Sequence, residues 1–482
     1  MLRKINLKYF TIILISAFLM CGIFIKFHLI TDIYWDISMG YVEFSKISIS
    51  DGRLIQFLLL NLGNILHIPM PVYFVAVNII SIFIYSITIY ILFEYLLNLK
   101  KDSSKFEKYL LLIGSFLTVL NPMVIEHFAY TENIVMSLSM LLGTLAAMAI
   151  NENKFIKSML LILFAAISYQ GTICFFVIIA VLLILLKNEK GKFIKKFLCI
   201  IIDCIIAVLA TFAIILIANN ILGQPAKRFE EGSGYSLHNI IKMIWQTSFL
   251  IRRMDVFCFY LHPRFYVFIA IALTIIFFAL QGKIIDIIKY IVLVLLAIIL
   301  CIMPSAMLGN ISISARQSAS IGAMVGISII YLIFLFKRNK YYDIALSIFS
   351  IIAIAINFYS FWHIGIINQK TNELDAIYGK QICDVITKYE EDNNIKIEKV
   401  AFCSDKNLTK TYNNYKTTMF TTKGILPKYS NNAFVEYFLN RKLEKYYMSR
   451  STYDKYFAGK DWNEFSEEQI KFEGNIAYIC VY

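Results

Sequence analysis

The feature that most constrains this chain is a repeated run of about twenty apolar residues, with connecting stretches that alternate in character so that clusters of lysine and arginine mark one side. A helix of that length matches the hydrocarbon thickness of a bilayer. Of the 482 residues, 59% are hydrophobic and 16% charged. A soluble domain carries about 25% charged residues, so no soluble core of this size can hide so much apolar surface. These numbers exclude a cytosolic enzyme, a secreted disulfide scaffold and a disordered regulator. They leave a membrane enzyme and a transporter as the open choice.

The net charge of +13 does not signal nucleic acid, because of where the charges lie. After residue 363 there are 17 Lys and Arg beside 16 acids, so the tail is almost neutral. Most other cations sit between apolar runs, as the positive-inside rule places them. Arg3, Lys4 and Lys8 precede an apolar run reaching Ile30, which is too long for a signal peptide and reads as a first helix with its N-terminus inside. Further spans are expected at 72–98, 108–126, 133–150, 197–221, 263–281, 285–303, 318–336 and 344–362. Residues 158–186 lie between two Lys-marked loops and are interrupted by Ser168-Tyr169-Gln170-Gly171. They read as two half-spans, a break tolerated only where it is buried in protein or lines a cavity.

The expected fold is therefore an all-α polytopic membrane protein with about eleven membrane segments, one of them a broken helical hairpin. Residues 1–362 form the transmembrane domain, and 363–482 a small extracytoplasmic α/β domain. In that tail Ile397 to Cys403 and Ile476 to Val481 read as strands, and Asn432 to Met448 as a helix. The nine cysteines are scattered and show no zinc spacing. An extracytoplasmic tail would leave a Cys403–Cys480 disulfide open.

Three segments on the outer side carry polar groups that a plain connector does not need. The first outer loop, about 30–54, holds Asp32 and Asp36, four residues apart, and closes on Asp51-Gly52-Arg53. If helical, the two acids share a face and supply a base for a hydroxyl proton; as solvated acids at a span end they do nothing more. Leu54 to Ile68 is too short to span and reads as an interfacial or half-helix. The second segment runs from Asn121-Pro122 through Glu126-His127-Phe128-Ala129-Tyr130-Thr131-Glu132-Asn133, with two acids and no Lys or Arg, and an interfacial loop with an aromatic belt at Phe128 and Tyr130 is the alternative. The third, about 222–264, includes Arg252 and Arg253, suited to a phosphate or to anionic lipids. Arg316 is an isolated cation at a membrane edge, either a phosphate ligand or a snorkelling anchor.

The order Thr31-Asp32, Tyr34-Trp35-Asp36, Gly40-Tyr41, Asp51-Gly52-Arg53, then Asn121-Pro122, Glu126-His127-Phe128 and Ser168-Tyr169-Gln170-Gly171 resembles the integral-membrane bacterial glucosyltransferases that include the type II serotype-converting enzymes. The similarity covers roughly residues 10 to 340. It implies a GT-C type glycosyltransferase in the cytoplasmic membrane, using a polyprenyl-phosphate sugar, glucose by the resemblance, and an envelope glycan or glycolipid acceptor. It implies Asp32 as catalytic base with Asp36 as its partner acid. Arg53, with Arg252, Arg253 or Arg316, would bind donor phosphate, and Glu126, Tyr169 and Gln170 would line the cavity or contact acceptor. A divalent cation, magnesium or manganese, is compatible, but no ligand set in the sequence demands one. A lipid-linked oligosaccharide flippase and a non-catalytic envelope-assembly protein are the rivals. The near absence of charge within the spans argues against a cation-coupled transporter.

Overall fold

A computed structural model describes residues 6–187, 189, 191–223, 263–307, 315–336, 339–406, 408–412 and 417–482. Helix dominates, with one small sheet near the C-terminus. Six helices are long and apolar enough to cross a bilayer: Leu7–Phe24, Met70–Leu99, Asn133–Asn151, Gln170–Lys187, Phe193–Ile221 and Lys340–Asn393. The bent pair Lys105–Val119 and Pro122–Ala129, at 46°, makes a seventh if counted as one span. Shorter apolar helices occupy Leu54–Ile65, Phe155–Ser168, Tyr266–Leu280 and Ala319–Leu335. The chain divides into two compact units: residues 1–26 with 45–363, and residues 27–44 with 364–482.

In the first unit the helices differ in how much surface they bury. The apolar window of Asn133–Asn151 is 72% buried and that of Phe193–Ile221 only 22%. Ile202, Ile205, Leu209 and Leu216 of the latter stand exposed, an apolar face that water would penalise and lipid accepts. Close packing comes from small residues. A Cβ on Gly326 would sit 2.3 Å from the Gly114 carbonyl, and one on Gly322 would sit 2.0 Å from Asn121 Oδ1. This Gly-x-x-x-Gly pair seats Ala319–Leu335 directly on Lys105–Val119, the geometry by which membrane helices gain packing where no hydrophobic drive exists between them.

The expected span at 108–126 is not one helix. It stops at Val119 and resumes as a 3-10 turn from Pro122, because Pro122 has no N–H to continue the ladder. Asn121 pins the break: its amide donates to the Thr118 and Ala319 carbonyls, and its Oδ1 accepts from the Met123 N–H. The break at Ser168-Tyr169-Gln170-Gly171 is present between Phe155–Ser168 and Ile173–Lys187. There Tyr169 is extended and its carbonyl accepts from Ser139 Oγ at 3.0 Å, so the interrupted backbone is satisfied inside protein. Leu54–Ile65 is helical.

The first outer segment is not a loop: Thr31–Ser50 is helical, with Gly40 at φ 72°, ψ 179°, a conformation open in practice to glycine alone. Its first part, with Ile364–Asn393 of the last long helix, belongs to the second unit. That unit contains β1 (Lys399–Ser404), β2 (Glu444–Lys445), β3 (Ile470–Glu473) and β4 (Ile476–Val481), in the order β2-β1-β4-β3. β1 is parallel to β2 and β4, and β3–β4 is an antiparallel hairpin turning at Gly474. The core under the sheet joins Tyr34, Tyr378, Ile382, Phe434, Val400 and Ile479. The helix expected over Asn432 to Met448 is shorter, Asn431–Leu439, because Asn440 turns left-handed at φ 51° and the chain then enters β2. Cys403 and Cys480 are free thiols, although β1 and β4 place them in register.

Candidate functional site

Five residues singled out in the sequence, Arg53, Glu126, Tyr169, Gln170 and Arg316, meet in one polar cluster of the first unit. Arg53 sits at the end of a tight turn whose Gly52 has φ 78°. Gln170 reaches across from the 168–172 break and donates to the Asp51 and Gly52 carbonyls at 3.3 and 3.1 Å. The half-helix break thus holds the Arg53 turn in place.

Arg53 is only 7% exposed. Its Nη1 donates to Glu132 Oε1 at 2.6 Å, its Nη2 lies 3.6 Å from Asp51 Oδ2, and its guanidinium stands 5.1 Å from the Tyr169 ring centre. Burial works against the charge, but Asp51 and then Glu132 outweigh it and raise the pKa; Arg316 nearby opposes them. The Nε of Arg53 is buried with no hydrogen-bond partner among the described residues.

Arg316 lies on a 3-10 turn before Ala319–Leu335. Its backbone is clasped from both sides. Its N–H donates to Glu126 Oε2 at 2.7 Å, and its carbonyl lies 3.3 Å from His127 Nε2. A carbonyl only accepts, so His127 Nε2 carries the proton and Nδ1 takes the Tyr85 hydroxyl at 2.7 Å. The Tyr85 oxygen also lies 3.1 Å from Asn133 Oδ1, Asn133 Nδ2 donates to Asn78 Oδ1, and Asn78 Nδ2 donates to the Phe24 carbonyl. The half-buried guanidinium of Arg316 lies 4.2 Å over the Tyr130 ring. No carboxylate pairs with it at ion-pair distance among the described residues, and its Nε has no hydrogen bond there. Segment 121–133 is therefore buried as a block, His127, Phe128 and Tyr130 included, not an interfacial aromatic belt.

Asp32 and Asp36 belong to the second unit. Asp36 is 4% exposed and Asp32 half-buried. Asp32 Oδ1 accepts from the Tyr429 hydroxyl at 2.5 Å and lies 3.4 Å from Thr31 Oγ1. Arg252 and Arg253 fall outside the described residues. Glu132 and Asn133 belong to the second outer segment but had no role assigned, and Tyr85 and Asn78 were not singled out; for these last two the signal open to sequence reading was the cost of polar residues in an apolar helix. Comparison with family models, curated proteins and solved structures gives no match for this chain. Among the described residues, no three His, Cys, Asp or Glu side chains gather as a metal site. The first-unit cluster offers an anion two guanidiniums, one neutralised by acids and one open, each backed by an aromatic face.

Proposed function

We propose that this chain is a membrane glycosyltransferase that moves a sugar from a polyprenyl-phosphate donor to an envelope glycan or glycolipid. The observation that carries the reading is the half-buried Arg316 guanidinium, backbone-clasped by Glu126 and His127, lying on Tyr130 with no carboxylate partner among the described residues. A guanidinium kept in place with Glu126 and Glu132 acting on it only beyond ion-pair distance has room for an anion at its fork, and a phosphate matches that fork. Arg53 adds a second charge already balanced by Glu132 and Asp51.

The proposed chemistry is one inverting displacement. The acceptor hydroxyl gives its proton to the Asp32 carboxylate as its oxygen attacks the anomeric carbon. The bond from that carbon to the phosphate oxygen breaks, and polyprenyl phosphate leaves with the electron pair. Cationic side chains stabilise its growing negative charge. Eleven membrane segments, an inside N-terminus, an outer second unit and glucose as donor sugar complete the proposal. In nanodiscs with radiolabelled polyprenyl-phosphate glucose and envelope acceptors, wild type should release polyprenyl phosphate and label the acceptor. Asp32→Asn and Arg316→Ala should both lose transfer. Transfer at the wild-type rate by Asp32→Asn would refute the mechanism, and no release by wild type would refute the activity.

A further inference from the structure

Around Asp32 the second unit assembles a polar and aromatic surface that its packing alone does not require. Tyr429 is 49% exposed, yet its hydroxyl is fixed by Asp32 Oδ1 at 2.5 Å and by Thr31 Oγ1 at 3.2 Å. Its ring meets Trp35 edge-on, with centroids 6.1 Å apart. Asp32 Oδ2 has no hydrogen bond among the described residues.

Both sides of this arrangement are anchored. Tyr34, next to Trp35, is fully buried between Phe434 and Tyr437. Ser38, one turn further on, donates to Glu436 Oε2 at 2.5 Å, and Lys442 donates to the Ser38 carbonyl. On the other side, the Gly424 N–H is held by both oxygens of buried Asp375, and Ser430 Oγ returns to the Gly424 carbonyl at 3.0 Å. Lys445 donates to the carbonyl of Lys428, beside Tyr429. The helix bearing Asp32 and Trp35 and the segment bearing Tyr429 are thus held against each other, with Tyr429 half-exposed.

We propose that Tyr429, Trp35 and Asp32 form a carbohydrate-binding site, the place where the acceptor glycan docks. An exposed aromatic face receives the C–H side of a pyranose ring, and a neighbouring carboxylate oxygen accepts one of its hydroxyls. Tyr429 has a second duty as a positioning residue: it occupies Oδ1 of Asp32 and leaves Oδ2 for the acceptor hydroxyl. The assignment of that hydroxyl as the nucleophile rests on the transferase reading; the binding of a glycan does not.

The test is equilibrium binding of the full chain in nanodiscs to a panel of purified bacterial envelope polysaccharides, without donor. At least one should bind saturably, and Tyr429→Ala and Trp35→Ala should each weaken it about tenfold. Tyr429→Phe keeps the ring and should bind within about threefold of wild type. In transfer assays the same variant should lower kcat while leaving the KM for the glycan near the wild-type value, because the ring still binds but Oδ1 of Asp32 is no longer held. Each variant's thermal midpoint is measured alongside. Glycan binding that is sensitive to both alanine changes, in a protein that transfers nothing, would support this site and sink the transferase. Normal transfer with unchanged glycan binding in both alanine variants would overturn the site and leave the transferase standing. So would the absence of binding by any polysaccharide of the panel.

Discussion

Glu132 is the residue whose replacement separates stability from ligand binding most sharply. It holds Arg53 at 2.6 Å, and Asp51 holds the same guanidinium at 3.6 Å. At an effective dielectric of about 20 these pairs carry gross attractions of about 6 and about 5 kcal/mol. Removing one partner of a buried pair costs about 3–5 kcal/mol because the other charge is left stranded. Asp51 remains in Glu132→Gln, so the lower end applies, about 3 kcal/mol. The Arg53 turn itself survives, since Gln170 holds its backbone. The ligand-free protein should therefore unfold at a clearly lower temperature. A phosphate, however, no longer competes with Glu132 for Nη1, so short-chain polyprenyl phosphate should bind about tenfold more tightly. Intrinsic-fluorescence melting in detergent and a phosphate titration read the two effects separately. An unchanged melting midpoint would refute the buried-pair argument, and weaker phosphate binding would refute the role given to Arg53.

Three further outcomes are expected. Burial pushes Asp375 up to about 7 against the hydrogen bonds from Tyr412 and Gly424, so the stability it lends is complete below about pH 4 and lost as pH rises to about 7. Lys423 is depressed to about 8 by burial, so its contribution is present only above its ordinary pKa and is lost as pH falls through about 8. Asp375→Asn should flatten the melting profile between pH 4 and 7, and parallel profiles for the two proteins would show that the carboxyl is not the cause. Gly326→Ala, whose new Cβ would lie 2.3 Å from the Gly114 carbonyl, should cost about 1–3 kcal/mol in urea or heat unfolding, and an unchanged midpoint would refute the close approach. Arg316→Lys retains charge but not the fork, and should weaken polyprenyl phosphate about tenfold while leaving the melting midpoint within a degree or two.

Much of the architecture follows from local signals. Apolar length marks the long helices, and Ser168-Tyr169-Gln170-Gly171 marks the interrupted pair because Tyr169 is extended and Gly171 lies against its ring. Arg53, Glu126, Tyr169, Gln170 and Arg316 stood out because they are polar groups in a chain whose spans carry almost none. What stayed hidden depends on distance along the chain. Glu132 meets Arg53 across 79 residues, and Asn78 meets Asn133 across 55. No spacing links the members of either pair until the helices pack. Segment 121–133 read as a surface loop because it is polar at both ends, whereas its side chains satisfy one another inside. The helix at Asn431–Leu439 was overextended because Asn440 can leave the helix at little cost, a preference that composition does not reveal.

The clasp on Arg316 has a consequence for how the protein is made. Glu126 and the Arg316 N–H are 190 residues apart, whereas Arg53 and Glu132 are 79 apart. During synthesis the inner pair can close while the downstream half of the chain is still being translated. The open guanidinium arrives only with the turn before Ala319–Leu335. Under the function proposed above, a chain arrested before that point would hold Arg53 with its acids but not the guanidinium of Arg316.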